Sequence, residues 1–581
     1  MKYFESAMSP GEVLPGISQM LIRNAEMYSG KIVFSEKHEG KYSGITWAEL
    51  YERILNISFN LRKHGFSEGD KFVIFSPNCL EMLELELAVI ASGGVAVPIF
   101  AYFHKETAEL LINHCDAKFL AAAGDLQLGR LHDIHVKEIF VFDKNAGSHF
   151  PNQTAFDKLL EEREDKTHEL MTGDQTDRIC LNMFTSGTMG IPKCVQITHG
   201  NILSQQAGLS RYNKINSSDR FLSYLPWHHS FGGIFELFTA LFNGASIALE
   251  SGYGKDPAAI FENWKLIQPT VFFSVPKVYQ ALFDLARTSN EAEDLFFHSQ
   301  LKFIFTAAAS LPQKLSDEFE KRDIPVLEGW GLTETSPCCT LTDPNRKRKP
   351  GVVGFPLPGI TVRLAEDGEI QVKGPNVMKG YYKNDDANES VFTDDGWFCT
   401  GDIGEITEDG LKLITRKDRI FKLSNGEKVI PSDLEKLIEM KCHYISFAMV
   451  VGNGEEYPVA LLFPNRKLLQ QPHYSISPEE GCFCPRDLDE LSRCLHGCLH
   501  DANCGIKQNF SKIQAAMIID DELTIDKGTL TSSMKLAPKN VVNAYRAHLD
   551  KLYGADNPLE NEVYIINLNK FEDKFEKKFS L

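Results

Sequence analysis

The chain lacks an excess of positive charge: over 581 residues, 61 Lys and Arg stand against 79 Asp and Glu, leaving a net charge of −18. Binding to a polyanion is driven by basic surface that displaces counterions, so a general nucleic-acid-binding surface is disfavoured, and any anionic ligand must be met by a few placed groups. Long apolar runs are also missing. The longest uncharged stretch, Leu87–Phe103, has 17 residues and contains Gly93, Gly94 and Pro98. A bilayer span takes about 18 or more apolar residues, so this stretch reads as a buried helix, a turn and a strand. The 13 cysteines are odd in number and form no Cys-x-x-Cys pair, and the first 30 residues have no basic-then-apolar leader pattern. The expected setting is therefore cytoplasmic and reducing. Hydrophobic residues at 43% and charged residues at 24% exclude extensive disorder and a small disulfide scaffold.

What is present is length and alternation. At about 150 residues per domain the chain holds several folding units, or one large and one smaller. Helical periodicity over Trp47–His64 precedes an apolar strand over Lys71–Ser76. Glu81–Ser92 and Lys105–His114 then read as helices, and Val95–Phe100 and Lys118–Ala123 as strands. This rhythm, continued by short apolar strands at Val271–Ser274 and Phe303–Thr306, predicts parallel sheets covered by helices. From about Gly351 the texture changes to short alternating runs, Thr361–Leu364 and Glu369–Val372 among them, which predict hairpins or a small β-barrel-like part. A compact mixed segment follows Arg416, with strands expected at Phe447–Gly452 and Val459–Phe463. The expected fold is α/β: a large multi-layer N-terminal domain (1–416) with parallel-type sheets, and a small mobile α+β C-terminal domain (417–554). A tail at 555–581 is read as helical in its Phe571, Phe575 and Phe579 repeat.

One loop carries chemistry on its face. Phe184-Thr185-Ser186-Gly187-Thr188-Met189-Gly190-Ile191-Pro192-Lys193 combines three hydroxyls, two glycines and a terminal lysine, the parts from which phosphate cradles are made. It is not a Walker A loop, because Pro192 stands where the second glycine belongs. It is not a nucleophile elbow either, since Phe184 and Thr188 occupy both glycine positions around Ser186. Taken alone, it is also compatible with a plain polar turn.

Further motifs follow in order: Leu225-Pro226-Trp227-His228-His229-Ser230-Phe231-Gly232, Glu328-Gly329-Trp330-Gly331-Leu332-Thr333-Glu334-Thr335, Thr400-Gly401-Asp402, Thr415-Arg416-Lys417-Asp418 and Leu530-Thr531-Ser532-Ser533-Met534-Lys535-Leu536. Together with the loop they resemble the signature of the adenylate-forming superfamily, and the last resembles the terminal lysine motif of its long-chain acyl-CoA synthetases. The similarity runs from about Gly16 to Tyr553.

The resemblance implies ATP-dependent activation of a medium- to long-chain fatty acid to acyl-AMP, followed by transfer to coenzyme A. It implies ATP, Mg²⁺ and coenzyme A as cofactors. Thr185, Ser186, Gly187, Thr188 and Lys193 would cradle the triphosphate and Glu334 would bind Mg²⁺. Thr333 would contact the α-phosphate and Trp330 would lie against adenine. Asp402 would take the ribose hydroxyls, assisted by Arg416, and Lys428 would reach phosphate. His229 would border the acyl pocket, and Asp418 would mark a hinge. Lys535 would offset the repulsion between carboxylate and phosphate; the Leu-Thr-x-x-Met-Lys-Leu frame selects it over Lys527 and Lys539. The run Thr306–Ser310 would let the base approach the backbone.

Departures from the family pattern are Thr415 before Arg416, Cys194 after Lys193, and Met189 in the loop. Cys482, Cys484, Cys494, Cys498 and Cys504 with His496 and His500 suggest either zinc or, more simply, small core residues on a helix face. The phenylalanine repeat of the tail suggests docking on the protein's own body, with peripheral contact at a membrane surface as the alternative. Acyl carrier protein as acceptor, a chemistry stopping at acyl-AMP, and a nucleotide-binding regulator without turnover are the rival functions. No nucleic-acid partner is expected, and the sequence sets no oligomeric state.

Overall fold

The structure is a computed structural model that describes residues 3–185, 192–250, 252–307, 311–442, 444–470, 485–524, 527–531, 535–553 and 563–567. The chain divides into two compact units, residues 1–400 with 404–413, and residues 401–403 with 414–581. The division falls within the ribbon of strands Phe398–Thr407 and Gly410–Arg416, so that Asp402, Arg416 and Asp418 all belong to the second unit.

The first unit holds two large sheets. In the eight-stranded one, strands run in the order Gly380–Tyr381, Lys193–Thr198, Ile179–Thr185, Val95–Ile99, Lys71–Phe75, Phe119–Ala122, Glu138–Val141 and Gln153–Ala155. Its middle is parallel, and Lys193–Thr198 pairs antiparallel with both its neighbours. The nine-stranded sheet is parallel from Val326–Trp330 through Phe303–Thr306, Val271–Ser274, Arg220–Ser223 and Ser246–Leu249 to Ile32–His38, with antiparallel strands at both ends. Strands buried on both faces need continuous apolar runs, and Phe72, Val73, Ile74 and Phe75 supply one, each fully buried. The uncharged run Leu87–Phe103 resolves into the end of helix Leu80–Ala91, a turn, and strand Val95–Ile99. A five-stranded sheet places Tyr3–Glu5 beside Thr361–Leu364, Glu369–Lys373, Phe398–Thr407 and Gly410–Arg416.

Helix starts follow side-chain chemistry. Thr46 accepts from Glu49 N–H while the Glu49 carboxylate accepts from Thr46 N–H, fixing the start of Trp47–Lys63. Thr198 and Asn201 make the same reciprocal pair at the start of His199–Asn213.

The second unit is a four-stranded sheet, Ile445–Val451, Val459–Pro464, Ala515–Ile519 and Val563–Asn567, preceded by a hairpin of Phe421–Lys422 and Lys428–Val429. Alternation along Ala515–Ile519 feeds two cores: Ala516 and Ile518 pack with Leu491, Leu495 and Leu499 of helix Leu488–Cys504, while Ala515, Met517 and Ile519 pack with Val541, Tyr545 and Leu549. One expectation is corrected here. Residues 563–567 of the tail form a strand antiparallel to Ala515–Ile519 rather than a helix, as the β-branched and aromatic run Val-Tyr-Ile-Ile favours. Phe571, Phe575 and Phe579 lie outside the described residues.

Candidate active site

The phosphate-loop reading rests on a hairpin. Strand Ile179–Thr185 ends at Thr185, strand Lys193–Thr198 begins at Lys193, and the two residues are register partners. A P-loop would lead into a helix; this loop leads into a strand, in keeping with its exclusion from that class. Ser186, Gly187 and Thr188 lie outside the described residues. The Lys193 ammonium stands over the Tyr381 ring, 4.6 Å from its centroid. The Tyr381 hydroxyl in turn donates to Glu334 Oε1 at 2.8 Å. Lys193 and Glu334, 141 positions apart in sequence, thus meet through a tyrosine that no motif reading selected.

Glu334 and Thr333 sit in the short 3-10 turn Thr333–Thr335, both nearly buried. Thr335 accepts from Leu332 N–H at 2.9 Å. The carbonyl of Thr335 accepts from Asn376 Nδ2 at 2.9 Å and from Gln205 Nε2 at 3.3 Å. Asn201 Nδ2 donates to the carbonyls of Pro375 and Val377 at 2.7 and 2.9 Å. Gln205, Asn201 and Asn376 therefore hold this corner, and sequence reading missed all three. The available signal was a pair of amide side chains on a helix face otherwise fit for burial. Gly331 is required by proximity: a Cβ there would lie 1.7 Å from the Pro337 carbonyl oxygen. Just before it, the buried pair Arg348 Nε and Glu328 Oε2, 2.6 Å apart, anchors the strand that presents Trp330. Trp330 is 7% exposed and belongs to the large core of the first unit.

The His228–His229 turn feeds directly into a π-helix, Phe231–Glu236, continued by α-helix Leu237–Phe242. Wide π-turns recur where a helix is bent to serve a site. Gly233 permits the geometry, because a Cβ there would lie 1.9 Å from the Trp227 carbonyl oxygen. Ser230 and Thr333 hydroxyls are 2.9 Å apart, which brings the His229 turn against the Glu334 turn. His229 Nδ1 accepts from Phe231 N–H at 3.3 Å. His228 packs on Phe100, ring centroids 4.9 Å apart. Burial, and secondarily the neighbouring His229, push its imidazole down to about 3, so it is neutral at physiological pH. The apolar run Gly232–Phe238 is buried throughout.

In the second unit Arg416 Nη1 lies 3.2 Å from Asp402 Oδ1, and Arg416 Nε lies 3.9 Å from Asp418 Oδ1. Lys535 closes a tight turn with Thr531: its N–H donates to Thr531 Oγ1 at 3.2 Å and its carbonyl accepts from Thr531 N–H at 2.8 Å. Lys535 is exposed in surface area. The density of protein around its ammonium nevertheless pushes its pKa below the usual lysine range, with Asp402 pulling it back up and Arg416 pushing it further down. Lys428 is exposed on its hairpin, register partner of Lys422.

Cys494 and Cys498 lie on helix Leu488–Cys504, the first buried and the second donating to the Lys441 carbonyl. Cys482, Cys484 and residues 308–310 of the expected base-binding run are outside the described residues. Among the described residues no group of three or more His, Cys, Asp or Glu is placed to hold a metal ion. Glu334 does suit a cation of another kind. A single carboxylate, held through one oxygen by the Tyr381 hydroxyl, is a hard oxygen ligand of the sort Mg²⁺ takes when phosphate and water complete its shell. No helix among the described residues is long and apolar enough to cross a membrane.

Comparison with known proteins gives consistent matches. The family described as AMP-binding enzyme matches residues 21–382, and the AMP-binding enzyme C-terminal domain matches residues 418–557. The long chain acyl-CoA synthetase 7, peroxisomal, of Arabidopsis thaliana is 26% identical over 92% of this chain and 86% of its own. The long-chain-fatty-acid–CoA ligase FadD15 of Mycobacterium bovis is 26% identical over 90% of this chain and 95% of its own. Among solved structures, the anthranilate CoA ligase AuaEII with anthranoyl-AMP superposes with a TM-score of 0.75 at 18% identity, covering 93% of this chain and 99% of that one. The O-succinylbenzoate coenzyme A synthetase of Bacillus subtilis with ATP and magnesium ion gives 0.70 at 23% identity, covering 90% and 98%. Both structures share the fold.

Proposed function

Because the chain belongs to the AMP-binding enzyme family, we propose that it is an AMP-forming acid–thiol ligase acting on medium- to long-chain fatty acids. The observation that carries the reading is the convergence of Lys193, Thr333 and Glu334 on one corner of the first unit, within a chain similar along most of its length to long-chain acyl-CoA synthetases.

In the first half-reaction a carboxylate oxygen of the fatty acid attacks the α-phosphorus of ATP. The bond from that phosphorus to the bridging oxygen breaks, and pyrophosphate leaves with the electron pair. Lys193, Thr185 and the loop between them hold the β and γ phosphates, and Thr333 orients the α-phosphate. Glu334 would hold Mg²⁺, which would neutralise charge on the triphosphate. Asp402 accepts from the ribose hydroxyls and Arg416 steadies it. Trp330 offers adenine a flat face, and Lys428 adds a charge near the phosphates. Lys535 stands between two anions that repel each other, and its ammonium stabilises the charge that builds up as they meet. His229 borders the reacting carboxylate. In the second half-reaction, after rotation about Asp418, the sulfur of coenzyme A attacks the acyl carbon, the acyl–phosphate bond breaks, AMP departs and the thiol proton is lost to solvent.

The test is ATP–pyrophosphate exchange against straight-chain acids of graded length, with AMP release measured on adding coenzyme A or acyl carrier protein. Exchange is expected to peak at medium to long chains and AMP release to require coenzyme A. Exchange with no acid would overturn the ligase reading and favour a regulator. Release driven by carrier protein would reassign the acceptor. For the stretch after Asn567, docking on the protein's own surface is the reading its phenylalanine repeat favours, with peripheral membrane contact as the alternative. Removing 568–581 keeps strand Val563–Asn567 and is expected to leave co-sedimentation with liposomes unchanged; a fall would assign that stretch to membrane contact instead.

A further inference from the structure

We infer that Tyr381 is a positioning residue for the metal–triphosphate complex, linking the phosphate-binding lysine to the metal-binding carboxylate. The inference rests on the proposed adenylation reading and adds to it a residue that none of the motifs contains. Three observations carry it. The Tyr381 hydroxyl donates to Glu334 Oε1 at 2.8 Å in a buried setting, and the ring is only 4% exposed. The face of the same ring lies 4.6 Å beneath the Lys193 ammonium. Its backbone is fixed independently: Tyr381 N–H donates to Asn388 Oδ1 at 2.7 Å, Asn388 Nδ2 donates back to the Tyr381 carbonyl at 3.0 Å, and Tyr381 pairs with Val195, two residues beyond Lys193. The segment is also tied to the metal corner, because Met378 N–H donates to the Glu334 carbonyl at 2.8 Å.

The chemistry follows from that placement. A carboxylate serving a hard cation through one oxygen binds best when the other is held, so that neither rotation nor bidentate chelation competes. The Tyr381 hydroxyl engages Oε1 and leaves Oε2 for the metal. An ammonium over an aromatic face is held electrostatically without an anion that would neutralise it. Lys193 is therefore steadied by the ring while its charge stays available to phosphate. A carboxylate partner in the same place would compete with the triphosphate; a tyrosine does not.

Two variants separate the two contacts. Tyr381→Phe removes only the hydroxyl, and Tyr381→Leu removes ring and hydroxyl. Mn²⁺ binding to the ATP-bound protein, followed by electron paramagnetic resonance, reads the metal site without turnover, and ATP binding in EDTA by calorimetry reads the lysine side. Tyr381→Phe is expected to weaken Mn²⁺ by roughly 10-fold with ATP affinity in EDTA unchanged. Tyr381→Leu is expected to weaken both. On a Glu334→Gln background, Tyr381→Phe should have no further effect on Mn²⁺. Unchanged Mn²⁺ affinity in Tyr381→Phe, or equal losses with and without Glu334, would overturn the proposal. Thermal unfolding of each variant distinguishes these outcomes from loss of the fold, and if Tyr381→Leu does not fold, Tyr381→Phe with the Glu334 cycle still decides. Failure of the unmodified protein to bind ATP at all would instead sink the adenylation reading.

Discussion

Two of the lysines proposed to serve the reaction, Lys193 and Lys535, sit in backbone of opposite kinds. Lys193 opens a strand paired on both edges within an eight-stranded sheet, its ammonium resting on a buried ring. Lys535 lies in a turn closed by the bridge Leu530 to Leu536, exposed, and the charges that act on it include Asp402 and Arg416 of the second unit. The difference teaches what each is asked to do. Holding a triphosphate calls for groups that do not move, and the large core of the first unit provides them. Delivering a charge to a transition state calls for a group whose surroundings tune it and whose removal leaves the fold alone.

That contrast breaks most sharply at Lys535. Lys535→Ala is expected to lower ATP–pyrophosphate exchange by about 10²- to 10³-fold, the usual cost of removing one electrostatic stabiliser of a transition state, while ATP binding and melting temperature hold. Exchange at the unmodified rate would move the role to another cation. The opposite pattern is expected at Gly331. A methyl group 1.7 Å from the Pro337 oxygen forces the backbone around the Glu334 turn apart, so Gly331→Ala should destabilise the first unit by roughly 3 kcal/mol or more. Denaturant titration checks this; a drop in exchange without loss of stability would show that the corner yields more easily than its packing implies.

An effect that appears only as pH rises concerns the depth of the first unit's core. Glu86, fully enclosed in helix Leu80–Ala91, is pushed up to about 8 by burial. Its folded-state pKa lies above the unfolded one, so between about pH 4.5 and 8 the folded chain holds a proton the unfolded chain has released. Stability therefore falls as pH rises through that window. Glu86→Gln removes the dependence, and its advantage over the unmodified chain should grow from near zero at pH 4.5 to on the order of 3–5 kcal/mol at pH 8. Melting curves at both values test it. Parallel curves would mean that Glu86 finds a compensating partner.

Much of this was legible beforehand. Strands Val271–Ser274, Phe303–Thr306 and Thr361–Leu364 and helix Lys105–His114 begin and end where their apolar periodicity says, because burial on one or two faces imposes a period that the residues must obey. The motif residues stand on another ground, their resemblance to a family signature, and their roles are proposals. Other features were not legible. Val563–Asn567 is a strand because Ala515–Ile519 offers it a partner edge, and local charge in the surrounding tail points elsewhere. The π-helix at Phe231–Glu236 follows from the close approach of Gly232 and Gly233 to the carbonyls of residues 225–227, a contact between segments that periodicity does not register.

By itself, then, the sequence determined the alternation of helix and strand and the residue types placed at the candidate site. The tertiary structure decided which of those residues meet. Tyr381 reaches both Lys193 and Glu334 because a two-residue strand pairs with Lys193–Thr198 and its neighbour Met378 is bonded to the Glu334 backbone. A net charge of −18 says nothing of such a place, since charge sums over the whole surface whereas a site depends on a few groups held within hydrogen-bonding reach.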